Sequence, residues 1–193
     1  MELIGTITPD RPLVVMAVAE EAQYHDGELP LLLCGIGKIN ASMALATVLA
    51  RGPLPSLVLN LGTAGALRPG LAGTHVVGTV MQHDLDGEIL RALTGRPWGE
   101  PIALEDGLTL ASGDVFVSDD AVRARLAEKA ALVDMEGYAL AAAARAAGVP
   151  VRLVKHVSDD ADESAARTWR ESVAECGRAL SAWAAANAAT PAS

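Results

Sequence analysis

At 193 residues the chain has the length of one ordinary α/β domain. With 51% hydrophobic and 20% charged residues it can bury a sizeable core, which excludes disorder. A formal charge of -9, from 15 Lys and Arg against 24 Asp and Glu, offers nothing to grip a phosphate backbone and excludes nucleic-acid binding.

Short apolar runs at 13–18, 31–34, 56–61, 75–80, 108–111 and 151–157 predict strands, several apolar at nearly every position as in strands covered on both faces. Between and after them, Ala- and Leu-rich stretches predict helices over 38–50, 119–129, 136–147 and 165–186. Gly148 followed by Pro150 supplies a stop for the third helix. In the last helix Trp169, Val173, Cys176, Leu180 and Trp183 recur at helical spacing, so they read as one packed face. The expected fold class is α/β: a single three-layer α/β/α domain over 1–193 with a mixed, largely parallel central sheet, its tail 187–193 frayed. The apolar stretch 13–19 is too short for a signal or a span, so no membrane partner is expected. Cys34 and Cys176 lie far apart inside apolar segments, which suits free thiols in the reducing cytoplasm.

Parallel sheets bind ligands in loops beyond the strand C-termini, and there the polar residues gather. Glu20 and Glu21 follow the first strand, Gly35 to Lys38 the second, Gly62 to Gly65 the third, His83, Asp84 and Asp86 the fourth, and Ser158, Asp159, Asp160 and Asp162 the last. Residues 160–171 imitate a calcium loop, but its sixth position is Ala165 where a sharp turn needs Gly, so the acids there read as helix caps. No His or Cys stands at ligand spacing from His83, so no metal is expected there. Gly35-x-Gly37 lacks the third Gly of a dinucleotide fingerprint. Without a Gly-x-Ser-x-Gly elbow or a His beside either Cys, covalent catalysis is disfavoured.

Six ordered blocks carry a resemblance: 35–41 (GIGKINA), 59–65 (LNLGTAG), 82–84 (QHD), 112–116 (SGDVF), 133–136 (VDME) and 156–162 (HVSDDAD). Together they resemble the nucleoside phosphorylase superfamily, and within it most the 5'-methylthioadenosine/S-adenosylhomocysteine nucleosidases. That resemblance implies a nucleoside phosphorylase-like fold that hydrolyses the N-glycosidic bond of a purine nucleoside with no cofactor and no metal. It implies that Asp159 bonds purine N7 and protonates the leaving base, and that Glu136 holds ribose hydroxyls with Met135 against the sugar. Glu21 would deprotonate water near Thr63 and Lys155. Phe116 would stack on the base, the Val117 backbone would read its edge, and Ser158 would belong to the same substrate site. A homodimer is expected, from the superfamily and from the apolar excess of a small acidic chain.

The chemistry asks for such a set, because cleavage builds positive charge on the sugar and negative charge on the base. Desolvation and the neighbouring Asp160 and Asp162 would help keep Asp159 protonated. Superfamily phosphorylases place arginines where this chain has Glu20 and Glu21 and Asn60 and Leu61, and acids suit water better than phosphate as nucleophile. Glu20 stays open as a substitute for Glu21, on the expectation of an extended backbone there. Compared with the family, the chain is shortened between Glu21 and Leu31 and between Asp86 and Leu108. Lys155 replaces the usual Arg, and Asp134 the frequent Glu. A futalosine-type or other modified-purine nucleosidase, a phosphorylase, and a silent nucleoside-binding domain therefore remain alternatives.

Overall fold

Leu13, Val14 and Val15 are fully buried although neighbours on a strand face opposite ways, so helices must cover both faces of the sheet they enter. In the computed structural model, which describes residues 1–187, the chain opens with β1 (Glu2–Ile4), β2 (Leu13–Met16), α1 (Ala19–Ala22), β3 (Leu31–Leu33) and α2 (Lys38–Arg51). It continues through β4 (Val58–Ala66), β5 (Thr74–Gln82), α3 (Gly87–Thr94), β6 (Ile102–Ala103), β7 (Leu108–Ser112), α4 (Asp120–Ala127), β8 (Leu132–Asp134), α5 (Gly137–Ala146), β9 (Val151–Asp159) and α6 (Ala165–Asn187). The tail expected to fray lies, from residue 188 onward, outside the described residues.

Leu13 and Val15 pack with Ala41, Leu45 and Val48 of α2 and Leu140 and Ala144 of α5 on one face. On the other, Val14 and Met16 join Leu59 and Leu61 of β4 and Leu180 of α6. Small residues let α2 and α5 lie close, since Ala41 and Ala44 meet Ala139, Leu140 and Ala144 in the first cluster. Of the expected α6 face, Val173, Cys176 and Leu180 are buried and Trp183 packs on the second cluster, but Trp169, at the start of that face, borders a cavity.

The sheet is mixed. Parallel ladders join β2 to β3 and β4, β4 to β9, and β7 to β5 and β8; antiparallel ladders join β1 to β3, β4 to β8, and β5 to β6 and β9. The pairings β4-β8-β7-β5-β9-β4 close a ring, from which β2, β3 and β1 extend as an open wing. Such closure needs strands longer than the apolar runs suggest. Accordingly β4 continues through Gly62 to Ala66 and β9 through Ser158 and Asp159, where the sequence reading had loops. Three short strands (β1, β6, β8) and the short helices α1 and α3 were not anticipated, being too brief for a periodic signal.

Candidate functional site

One edge of β4 changes partner midway: residues 58–60 pair with β2, residues 65–66 with β8. Between them the sheet splits, and backbone N–H groups there lose their ladder partners. Opposite the split, residues 60–64 of β4 remain paired with β9. A cavity of about 310 Å³ occupies the split, bordered by Ala17, Val18 and Glu21 after β2, Thr63 to Gly65 of β4, Val133 to Glu136 around β8, and Ser158 and Asp159 of β9. This is the kind of strand divergence at which α/β sheets bind ligands.

Glu21 repairs the split. Its Oε1 accepts from the Thr63 backbone N–H at 2.7 Å and from Thr63 Oγ1 at 2.8 Å, while Oε2 accepts from the Ala17 N–H at 3.2 Å. Glu21 rides on α1 rather than on the extended backbone expected, and this helix buries Glu21 while leaving Glu20 exposed. Gly177 of α6 allows the approach, because a Cβ there would stand 2.7 Å from the Glu21 carbonyl oxygen. Beneath the cavity floor Lys155 is fully buried and its Nζ lies 2.8 Å from Asp134 Oδ2. Asp134 also accepts from the Ser112 hydroxyl and from the Gly137 N–H. Burial works against charge on Lys155, yet Asp134, Glu136 and Glu21 around it together hold its pKa above the usual lysine value.

Glu136 precedes α5, buried and facing the cavity, with Oε1 accepting from the Gly37 N–H at 2.8 Å. Burial, then Asp134 and Glu21, push its carboxyl up to about 7, while Lys155 and the Gly37 N–H pull the other way. The adjacent Lys38 N–H donates to Asp114 Oδ1 at 2.7 Å, and Asp84 binds both Lys38 Nζ and the Asp114 N–H. This clasp ties the start of α2 to the loop carrying Val115, Phe116 and Val117, all on the cavity wall. Phe116 remains half exposed at the mouth, while Val117 is buried.

Asp159 sits at the end of β9, where the register against β4 slips so that Ala64 pairs with Val157 and Gly65 with Asp159. Ser158 is the extra residue, and such a bulge re-aims the side chains around it. The Ser158 hydroxyl donates to Asp159 Oδ2 at 2.7 Å, and the Ala161 N–H, at a left-handed residue with φ 50°, donates to Oδ1 at 2.9 Å. Burial raises the Asp159 pKa, with Asp160 and Asp162 adding to it and these two hydrogen bonds opposing it. Gly65 is the sterically required neighbour, since a Cβ there would lie 3.0 Å from Asp159 Oδ1 and from Ala161 Cβ.

Eight expected residues therefore border one cavity: Glu21, Thr63, Phe116, Val117, Met135, Glu136, Ser158 and Asp159. Lys155 does not; it lies behind them, paired to Asp134. Sequence reasoning missed Trp169, whose indole Nε1–H donates to Thr63 Oγ1 at 2.9 Å, and Arg170 beside it, both bordering the cavity. It also missed the Lys38, Asp84 and Asp114 clasp, although all three of its members stand in the recognised blocks. Among the described residues no three or more His, Cys, Asp and Glu side chains cluster as a metal would need.

A mixed sheet split around a cavity lined with carboxylates and two aromatic residues defines an α/β protein built to hold a small ligand with a few directed polar contacts. Residues 80–188 match the family model described as "Phosphorylase superfamily", and the chain belongs to that superfamily. It is 33% identical over 163 residues to the 5'-methylthioadenosine/S-adenosylhomocysteine nucleosidase of Bacillus pumilus, spanning 70% of each chain. Among solved structures it resembles the Helicobacter pylori 5'-methylthioadenosine/S-adenosyl homocysteine nucleosidase, with a TM-score of 0.79 at 22% identity, covering 94% of this chain and 98% of that one. The futalosine hydrolase of Helicobacter pylori shares the fold as well, with a TM-score of 0.77 at 23% identity over 91% of this chain and 95% of that one.

Proposed function

We propose that this chain is a hydrolase that cleaves the N-glycosidic bond of an adenine nucleoside of the methylthioadenosine or adenosylhomocysteine type, releasing free base and free sugar. The observation that carries this reading is that three carboxylates, Glu21, Glu136 and Asp159, border a single cavity. A 33% identical nucleosidase relative supports the same chemistry.

In this account the purine lies between Phe116 and the Asp159 carboxyl, its edge against the Val117 backbone. Ribose hydroxyls bond Glu136, and Met135 packs on the sugar. As the bond from C1' to N9 breaks, its electron pair goes to the base and the Asp159 proton goes to N7. Water adds to C1' and gives its proton to Glu21. The cation-like sugar is flanked by acids, and Lys155 keeps those acids from repelling one another beyond what the fold tolerates. Burial of Asp159 favours the protonated state that an acid catalyst needs.

The same reading takes the chain as one domain of the cytoplasm, where the two free cysteines stay reduced. It also takes the working form as a homodimer. Support comes from Ile39 and Met43 of α2 and Ile89 and Leu93 of α3, large apolar side chains exposed on amphipathic helices. Incubation of the purified protein with methylthioadenosine, followed by separation of base and sugar, tests the activity. Absence of adenine would overturn it.

A further inference from the structure

Trp169 is the aromatic side chain of α6 that borders the cavity, and it does so with a directed bond. Its indole Nε1–H donates to Thr63 Oγ1 at 2.9 Å, and Thr63 Oγ1 lies 2.8 Å from Glu21 Oε1. An indole nitrogen can only donate, so the Thr63 oxygen is the acceptor in the first contact and spends its single proton on Glu21 in the second. The Thr63 backbone N–H donates to the same Glu21 oxygen at 2.7 Å. Oε1 is thereby saturated, while Oε2 holds only the longer bond from the Ala17 N–H at 3.2 Å and keeps lone-pair capacity for another donor.

We propose that Trp169 is a positioning residue that acts through Thr63 to fix the Glu21 carboxylate so that Oε2 is the oxygen that takes the proton of water. The inference rests on the reading that Glu21 activates water. Packing alone would ask only for a flat ring at position 169, and phenylalanine would serve equally. The indole N–H adds something a ring cannot: it removes the alternative in which the Thr63 hydroxyl turns away from Glu21 or accepts a proton from it. Chains of such bonds also reinforce one another, since a hydroxyl that accepts becomes a better donor.

The test is a double-mutant cycle on the full chain with Trp169→Phe, Thr63→Val and both together, measured for kcat and KM with methylthioadenosine. Trp169→Phe keeps the wall of the cavity, so KM should stay within about twofold while kcat falls by roughly three- to tenfold, the scale of one hydrogen bond. The double variant should be no slower than Thr63→Val, because the indole acts only through that hydroxyl. Unchanged kcat in Trp169→Phe, or losses that multiply in the double variant, would overturn the proposal. A second readout needs neither turnover nor a change at 169: the indole N–H resonance of Trp169 should shift in Glu21→Gln, although the two side chains are bonded only through Thr63. An unmoved resonance would also overturn it. A wild type that releases no base from any nucleoside would instead remove the water-activating reading, and the resonance would still decide whether the three residues are coupled.

Discussion

The Gly37 N–H donates to Glu136 Oε1 across 99 residues of sequence, at 2.8 Å, so that the start of α2 holds the buried carboxylate at the start of α5. One oxygen is thus committed to the protein, and the carboxylate borders the cavity.

Glu136 should make stability depend on pH. Its folded pKa is raised from 4.5 to about 7, so the folded state binds more protons than the unfolded one between those values. The sign follows: this contribution is fully present below pH ~4.5 and lost as pH rises through ~7. Urea denaturation at steps across that window should show Glu136→Gln with a weaker decline toward alkaline pH than the wild type, and a higher stability at pH 8. Since Gln still accepts from Gly37 but cannot carry the charge that a cationic sugar needs, nucleoside affinity and turnover should both fall in this variant.

Breaking the Lys155 and Asp134 pair should be costly. Lys155→Met leaves the Asp134 carboxylate buried without its cation, and a loss of about 3–5 kcal/mol is expected by chemical denaturation. Lys155→Met with Asp134→Asn should be less destabilised than the sum of the two single changes. Additive losses would mean that the 2.8 Å contact carries little coupling.

Asp159→Asn should lower single-turnover hydrolysis by on the order of a hundredfold or more, the scale of a positioned general acid. Nucleoside binding followed by calorimetry should be largely retained, because the amide can still bond N7. Near-normal turnover would move the acid elsewhere, with the exposed Asp160 next in line.

How far the sequence reached can be seen at particular residues. Asp159 and Glu136 were legible because each stands in a block whose residue types and order are distinctive, and Glu21 because it is an acid directly after the first strand. The strands covered on both faces, such as Leu13 to Met16, were legible because no solvent-facing position interrupts them. Gly62 to Gly65 read as a loop, since glycines weaken a strand signal; in the fold they let Lys155, Asp159 and Ala161 approach β4 from the other side. Trp169 was read as packing because helical spacing gives the face of a side chain but not what lies opposite it, and its hydrogen bond to Thr63 spans 106 residues. The split of β4 between β2 and β8, which makes the cavity, is a property of pairing, and no local pattern encodes it.

Assembly has its own check. Met43→Glu with Leu93→Glu places charges on the exposed apolar faces of α2 and α3, and light scattering at micromolar concentration should then give a monomer mass where the wild type gives a dimer. A wild type already monomeric would contradict the dimer.

The most direct test of the central claim is the identity of the sugar product when methylthioadenosine is cleaved in the presence and absence of millimolar phosphate. With Glu21 bonded to Thr63 and Ala17 on the cavity wall, adenine should appear at equal rates in both cases, accompanied by free methylthioribose, because an acid there favours water over a dianion. A sugar 1-phosphate as the main product, with cleavage stalled when phosphate is withheld, would contradict the account.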